Sequence, residues 1–442
     1  MMINEKKRIP FISEKDDLDN FIDEIKPTPV NIQNRLKKLF LNNEETQIEV
    51  LKWLIDALNE IDFVLEEKEI IKIMEIANSK NYYLHSLAIN LIFGLLSFSS
   101  PMIEMFIKNN IIDRIFLKFP FEETIDIVSN LTINSLEFKE ISLKNGILTR
   151  ISEEFKKDDL DDEMKLKLFV LVNCILDGID KIKYQPYFLQ FVDIFSSSLK
   201  LLSSRINDLI KNIIKAFQKF IEINESFLFY FIKEDLLDSF LEIKTKSNDI
   251  LVCKIELLLS ITRSSIDGTQ YLLSKNIFSF LISCLDLNVQ IITQEIFKLL
   301  ILFIFDEDEF TISQLIKYGF HIFAKDLFLS ETQTYKSKKI IYEFISELIS
   351  SVSFTLLESY DFVNCYKILV NNIEFSEGVK YQTLEAFHKI FQINKKEYQI
   401  CIINEMDSNN EFIKWLNTDA INDEDQTIRN LSISLLDLLS KK

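Results

Sequence analysis

The sequence predicts an all-α fold, a right-handed superhelical solenoid of about nine repeats, and three observations carry that expectation. Helix breakers are scarce: six Gly and six Pro stand among 442 residues, where average usage would make roughly 12% of a chain Gly or Pro. All six Pro (Pro10, Pro27, Pro29, Pro101, Pro120 and Pro186) lie in the first 186 positions, so no Pro interrupts the rest. Apolar residues recur at three- and four-residue steps in segment after segment, the period of a buried helix face. The segments also close on a similar turn every 36 to 45 residues, and self-similarity at that period marks stacked helical units.

One unit is most legible between Phe121 and Glu153. Ile125, Val128, Leu131 and Ile133 recur at helical spacing, and a polar break from Asn134 to Lys139 separates them from a shorter second helix. That helix closes on Lys144-Asn145-Gly146, and a third opens at once with Ile147, Leu148 and Ile151. Gly146 reads as the residue past a helix end, where positive φ costs a glycine nothing and the chain turns sharply.

In chain order, residues 1–29 form a polar N-terminal arm with three Pro and one amphipathic stretch, Glu14 to Ile25. Its Lys6-Lys7-Arg8 reads as solvated charge at a chain end. The repeat domain runs over 30–442. Its clearest turns are Ile107 to Asn110, Leu143 to Gly146, Ile232 to Asp235, Ser274 to Ile277 and Ile316 to Gly319. Lys108 to Lys144 is 36 residues, and Lys233 to Lys275 and Lys275 to Lys317 are 42 each. The 89 residues from Lys144 to Lys233 hold two units, the intervening turn falling near Tyr187. The same step places an earlier turn at Glu66 to Lys68 and later ones at Ser359 to Phe362 and near Asn404.

The longest helix of each unit precedes the polar break. The pattern places these helices at Leu84–Leu96, Phe121–Ile133, Lys165–Leu176, Ile206–Ile221, Asp249–Ile261, Ile291–Phe305, Ser337–Ile349 and Lys380–Ile393, with a closing helix from Asp425 to Leu439. They are apolar over more than one stripe, as helices touched on two sides must be.

Composition excludes several function classes. The longest apolar run, Leu299 to Phe305, is seven residues, against about 20 for a membrane span. The N-terminus shows no apolar stretch of a secretory leader. Five scattered Cys (Cys174, Cys253, Cys284, Cys365, Cys401) form no CxxC pair and read as small buried hydrophobes in a reducing compartment. A net charge of −18 repels a phosphate backbone, so nucleic acid is not expected as a partner.

Catalytic motifs are missing as well. The six Gly stand at least 32 residues apart, so neither a phosphate loop nor GxGxxG can form. His85, His321 and His388 fall in different units, away from the cysteines, and offer no metal spacing. The acidic runs Asp158 to Glu163, Asp306 to Glu309 and Asp423 to Asp425 lack calcium-loop spacing and read as solvated turns. No enzyme, cofactor or metal is expected.

The period of 36 to 45 lies near that of armadillo and HEAT units. The segment DIVSNLTINSLEFKEISLKNGILTRI, from Asp126 to Ile151, resembles an armadillo repeat, and the unit number and short arm are similar to the importin alpha group of that family. The resemblance implies a protein-binding adaptor in nuclear import, taking basic peptide cargo in its concave groove and working with a carrier protein. Its implied location is the cytoplasm, with shuttling to the nucleus. In that group a Trp and an Asn four residues later line the groove. The Asn falls on Asn130 and Asn173, while Asp126 and Phe169 occupy the Trp positions. The only tryptophans, Trp53 and Trp415, lie elsewhere.

Asp126, Asn130, Phe169 and Asn173 are thus the expected peptide-binding residues, with carboxylate and π-face available for lysines and amides for the backbone. In the same register stand Lys215 with Lys219, Glu256 with Ser260, Glu343 with Glu347, and Glu385 with Lys389. Lys215 and Lys219 are expected to repel a basic peptide and end its footprint. Replacing Asn130 and Asn173 by Ala is expected to weaken binding with little change in melting, as at exposed helix positions. The alternative function is a non-transport armadillo or HEAT scaffold, or a regulatory subunit, organising a cytoplasmic protein complex.

Overall fold

In the computed structural model, residues 27–98, 100–116, 121–157, 160–178, 185–305 and 309–441 are described. Most of the expected N-terminal arm, with Lys6-Lys7-Arg8 and the Glu14 to Ile25 stretch, lies outside them, as do parts of the acidic runs at 158–159 and 306–308. Helix follows helix from Pro29 onward, with no strand among the described residues. The first helix, Pro29–Lys38, starts where the arm was expected to end. Thr28 caps it by accepting from the Asn31 N–H at 3.3 Å, and Pro29 sits where a missing N–H is harmless.

Contacts gather into two compact units, Met1–Asn134 and Ser135–Lys442, within what the sequence presents as one repeat domain. The long helices are named in chain order. The first unit holds α1 (Glu44–Leu58), α2 (Tyr82–Phe98) and α3 (Phe121–Asn134). The second holds α4 (Asp162–Leu176), α5 (Asn207–Ile223), α6 (Asn248–Ser264), α7 (Gln290–Phe305), α8 (Tyr335–Ser351), α9 (Lys380–Ile390) and α10 (Gln426–Ser440). All the expected long helices are present, α9 ending three residues early. Within each unit every long helix packs on the next. The chain is an all-α repeat solenoid.

Burial explains the stacking. On α5, Leu209, Ile213, Ile214, Phe217 and Phe220 are fully buried, each contributing about 1.5–3 kcal/mol by leaving water. Aromatic rings fill this stack: Phe195 lies 4.4 Å from Phe217, and Phe220 lies 4.6 Å from Phe227 and 4.7 Å from Phe191, ring centre to ring centre. These tilted contacts are ones aromatic quadrupoles favour.

The five turns read from sequence carry the backbone signature that makes them turns. Asn110 (φ 60), Gly146 (φ 78), Asp235 (φ 54), Asn276 (φ 52) and Gly319 (φ 79) are all left-handed. Only Gly, Asn and Asp enter that region readily, which is why these types recur there. Near Tyr187 a 3₁₀ turn, Gln185–Tyr187, leads into the helix Phe188–Ser198, as the missing unit requires. The turn expected near Asn404 is displaced. Asn404 lies inside the helix Lys396–Ser408, and the break comes at Asn409, whose side chain caps the next helix by accepting from the Phe412 N–H at 2.9 Å.

Tyrosines tie successive repeats together in the second unit. Tyr230 bonds Ser196 at 2.9 Å, Tyr271 donates to Asp235 at 2.8 Å, Tyr318 to Asn276 at 2.5 Å and Tyr398 to Asp361 at 2.5 Å. Each bond spans 34 to 42 residues of sequence, about one repeat.

Candidate functional site

Within each unit the long helices carry polar side chains in one sequence register, and Asp126 and Asn130 in the first unit and Asn173 in the second stand in it. On α3 of the first unit, Asp126 and Asn130 are half-buried, and the Asn130 amide donates to Ser97 Oγ on α2 at 2.8 Å. On α4 of the second unit, Phe169 is fully buried and packs in a tilted contact against Phe155, ring centres 5.0 Å apart. It is a core residue, which corrects the expectation of an aromatic face open to a ligand. Helix α4 is apolar on two sides, and position 169 turns toward the neighbouring helix Ile147–Phe155.

Asn173 is only 7% exposed. Its amide donates to Phe169 O at 2.9 Å, and across to α5 at Asn212 O (2.9 Å) and Asn212 Oδ1 (3.3 Å), while its own Oδ1 is buried with no partner among the described residues. A buried amide uses its donors this way because each unsatisfied group costs about 1–3 kcal/mol. Asn173 therefore acts first as a staple between two long helices.

The next rungs are internally neutralised. Lys219 on α5 lies 2.6 Å from the Asp177 carboxylate and 3.4 Å from Asn173 O, so it is a paired charge, not the free repelling one its sequence position suggests. Ser260 on α6 donates to Glu222 Oε1 on α5 at 2.5 Å. Burial and then Glu295 hold the Glu256 carboxyl above the usual range, opposed by Lys215 and Lys298. Lys298 lies 2.6 Å from Glu295 on the same helix, α7.

On α8 and α9 the character changes. Burial pushes the Glu347 carboxyl up to about 7, with Glu343 and Glu385 adding repulsion. Glu343 is also raised by burial, against the pull of Lys339. Glu385 accepts from the Tyr381 hydroxyl at 3.1 Å. Lys389 donates to Val352 O at 2.7 Å, and burial lowers its pKa. In sequence Glu343 and Glu347 look like a solvated helix face; the structure buries Glu347 to 6% exposure.

Trp53 and Trp415 take no part in this row. Arg35 covers the Trp53 ring at 5.2 Å, and Trp415 is buried 6.0 Å from Phe412.

One further feature had no sequence signal. Lys254 on α6 is 2% exposed, and its ammonium donates to Ile243 O at 2.8 Å and Leu241 O at 3.2 Å. Burial brings its pKa down to about 8. Beside it lies an open cavity of about 560 Å³ lined by Leu241, Thr245, Lys246, Phe280 and Cys284. Lys254 closes the turn before α6, because free carbonyls at a helix junction need donors.

Among the described residues, no group of three or more His, Cys, Asp or Glu is placed to hold a metal ion, and no helix is long and apolar enough to cross a membrane.

No family model and no curated protein matches the sequence. Among solved structures, the chain is similar to an engineered protein with a TM-score of 0.70 at 12% identity, over 93% of this chain and 99% of that one. A computationally designed armadillo repeat protein for modular peptide recognition aligns with a TM-score of 0.45 at 13% identity, over 52% of this chain and 99% of that one. The first likeness shows the fold, a helical repeat solenoid.

Proposed function

We propose that the chain is a non-catalytic scaffold that holds an extended segment of a partner protein along the polar row of its long helices. The observation that carries this reading is the row itself: Lys219 and Glu222 on α5, Glu256 on α6, Lys298 on α7, Glu343 on α8, and Glu385 and Lys389 on α9, each exposed or half-buried, recur along successive helices of the second unit. Packed helices lie about 8–10 Å apart, and an extended chain rises about 3.3 Å per residue. One repeat thus meets a bound strand roughly every three residues. Mixed charge suits a partner with basic and polar side chains, and the acidic end at α8 and α9 favours the basic ones.

Of the two functions the sequence suggests, the scaffold is favoured over the import adaptor. Neither tryptophan joins the row, Phe169 is buried, and Asn173 spends its donors on α5. The buried free thiols at Cys174, Cys253, Cys284 and Cys365 support a reducing compartment such as the cytoplasm.

The test is selection of binders from a library of random twelve-residue peptides, followed by affinity measurement against Lys219→Glu, Glu256→Lys and Glu385→Lys, with the exposed turn variant Lys233→Glu as control. Loss of binding in the row variants, with helicity intact, supports the reading. Binding that none of the three alters would sink it.

A further inference from the structure

We infer that the cavity beside Lys254 docks an acidic segment of a partner protein, an apolar side chain entering it while carboxylates meet Lys244, Lys246 and Lys254. The site lies outside the polar row. Lys254 stands two positions from Glu256 on α6, and at 3.6 residues per turn that places it roughly 200° around the helix, on the opposite side. It therefore stands or falls separately from the scaffold reading.

The cavity opens where residues 242–247, which link the helix Leu237–Leu241 to α6, run past the helix Ile277–Leu285 of the next repeat. Its volume of about 560 Å³ falls within the range of about 300–1,000 Å³ common to binding pockets. Leu251, Phe280 and Leu287 supply apolar wall, and Leu287 is itself exposed.

Charge selects the ligand. The chain carries a net charge of −18, yet three lysines and no carboxylate line this cavity. Glu242 and Asp286 adjoin lining residues in sequence without lining it themselves. Neighbouring lysines are neutralised: Lys211 lies 3.3 Å from Asp249, and Lys275 lies 2.6 Å from Asp235 and 2.8 Å from Asp238. Lys244 and Lys246, by contrast, are exposed and have no ion-pair partner among the described residues.

Lys254 forms the floor. An ammonium has three N–H groups, and this one gives two of them to the backbone, at Ile243 O and Leu241 O. The Phe280 ring, 5.6 Å away, attracts the charge without neutralising it. Burial lowers its pKa, and the group opposing that is Cys284, not a carboxylate. A buried ammonium held only by neutral partners is costly, and a carboxylate entering the cavity would supply the missing counter-charge. The negative charge elsewhere on the chain is screened beyond about 8 Å at physiological salt, while a contact pair is not.

A peptide suits the site better than a single small anion. The three cations are spread from floor to rim, so several carboxylates on one chain are needed to meet them. The N–H groups of Lys244, Thr245 and Lys246 also find no acceptor among the described residues, and a partner backbone carries acceptors at every residue.

The experiment selects binders to the full chain from a hexapeptide library built of Asp, Glu, Leu, Ile and Phe, and measures their affinity by fluorescence anisotropy at physiological salt. A library with Asn and Gln in place of Asp and Glu is the neutral control, and decanoate, a small amphiphilic carboxylate, is the competitor. The expected result is a set of acidic binders that the neutral library lacks. Their affinity should fall by about tenfold or more in the Lys244→Glu, Lys246→Glu double variant, which turns two attractions into repulsions. Leu287→Asp should weaken them several-fold. All three positions are exposed, so circular dichroism should not change. The row variants Lys219→Glu and Glu256→Lys should leave the affinity within about twofold, because an open-surface charge change acts locally at this salt.

No acidic binder, equal recovery from the neutral library, or binders that neither the double variant nor Leu287→Asp weakens would overturn the site. Decanoate displacing the peptides at comparable affinity, with the same dependence on the two lysines, would overturn a protein segment as the occupant. Peptides lost only in the row variants would overturn docking here and leave the scaffold reading standing.

Discussion

The Tyr271 hydroxyl donates to the Asp235 carboxylate at 2.8 Å, joining the second helix of one repeat to the left-handed turn of the repeat before it. Lys275 closes the same link from 2.6 Å, and together they hold the Asp235 carboxyl below its usual range, Lys275 contributing first. A lowered folded-state pKa means stability that is present above the unfolded value and lost as pH falls through the folded one. Tyr271→Phe should therefore lower Tm at pH 7, and the deficit should shrink as the solution is brought toward pH 3. Thermal melts of both proteins across that range check it.

Gly268 answers to space, not to φ. A Cβ placed on it would stand 2.3 Å from Ile261 O, where the helix Ile266–Ser274 turns away from the end of α6. No side chain moves to relieve a clash with backbone. Gly268→Ala should destabilise by about 1–3 kcal/mol, the range for overpacking, read from urea unfolding. Gly94→Ala should cost less, since its contact at 2.8 Å is the tip of the Leu58 side chain.

These two positions illustrate what the sequence makes legible. The long helices and the turns at Asn110, Gly146, Asp235, Asn276 and Gly319 could be placed because both signals are local: apolar spacing within one helix, and residue types that tolerate positive φ. The displaced turn at Asn409 was missed because a capping Asn, not a left-handed residue, ends that helix. The site was legible only in register. Whether Phe169 faces solvent or core depends on Phe155 in the preceding helix, and whether Asn173 meets water or Asn212 depends on a residue 39 positions away, and no local pattern encodes either. The long apolar helices hide the answer further, since they are covered on two sides.

His321 should mark the acid limit of the second unit. It is buried beside Phe362 at 4.9 Å, its Nδ1 has no partner among the described residues, and burial lowers its pKa, with Asp361 opposing. With the folded pKa below the unfolded value of about 6.5, stability is full above 6.5 and declines as pH falls through that value toward the folded one. His321→Gln should reduce the drop in Tm between pH 7 and pH 5. An equal drop in both proteins would remove His321 from the acid response.

Glu347 has the opposite sign. Its folded pKa, near 7, stands above the unfolded value, so the native state binds more protons between the two, and stability falls as pH rises through that window. Glu347→Gln keeps the shape and removes the charge. It should stabilise the chain at pH 8, by on the order of 1–3 kcal/mol, and make little difference near pH 4. Melting curves of both proteins at the two pH values check it.

Asn173 and Asn130 should part company when each is replaced by Ala. Were both on an open surface, the pair would be silent in melting, as exposed helix positions usually are. Asn173 is instead buried, and truncating it removes its bonds to Phe169 O and to both oxygens of Asn212. The carbonyls of Phe169 and Asn212 keep their helical partners, so the loss is the inter-helix bond plus a small void. That corresponds to about 1–3 kcal/mol. Asn130 is half-buried and gives up one bond, to Ser97 Oγ, whose loss water can offset. Asn130→Ala should therefore cost about 1 kcal/mol or less. Asn212→Ala should leave most of the Asn173 contribution in place, because the 2.9 Å bond reaches the Asn212 backbone and only the 3.3 Å one its side chain. Urea unfolding of the three single variants and of the Asn173, Asn212 double variant measures the coupling. A value for Asn173→Ala as small as that for Asn130→Ala would return Asn173 to the open face.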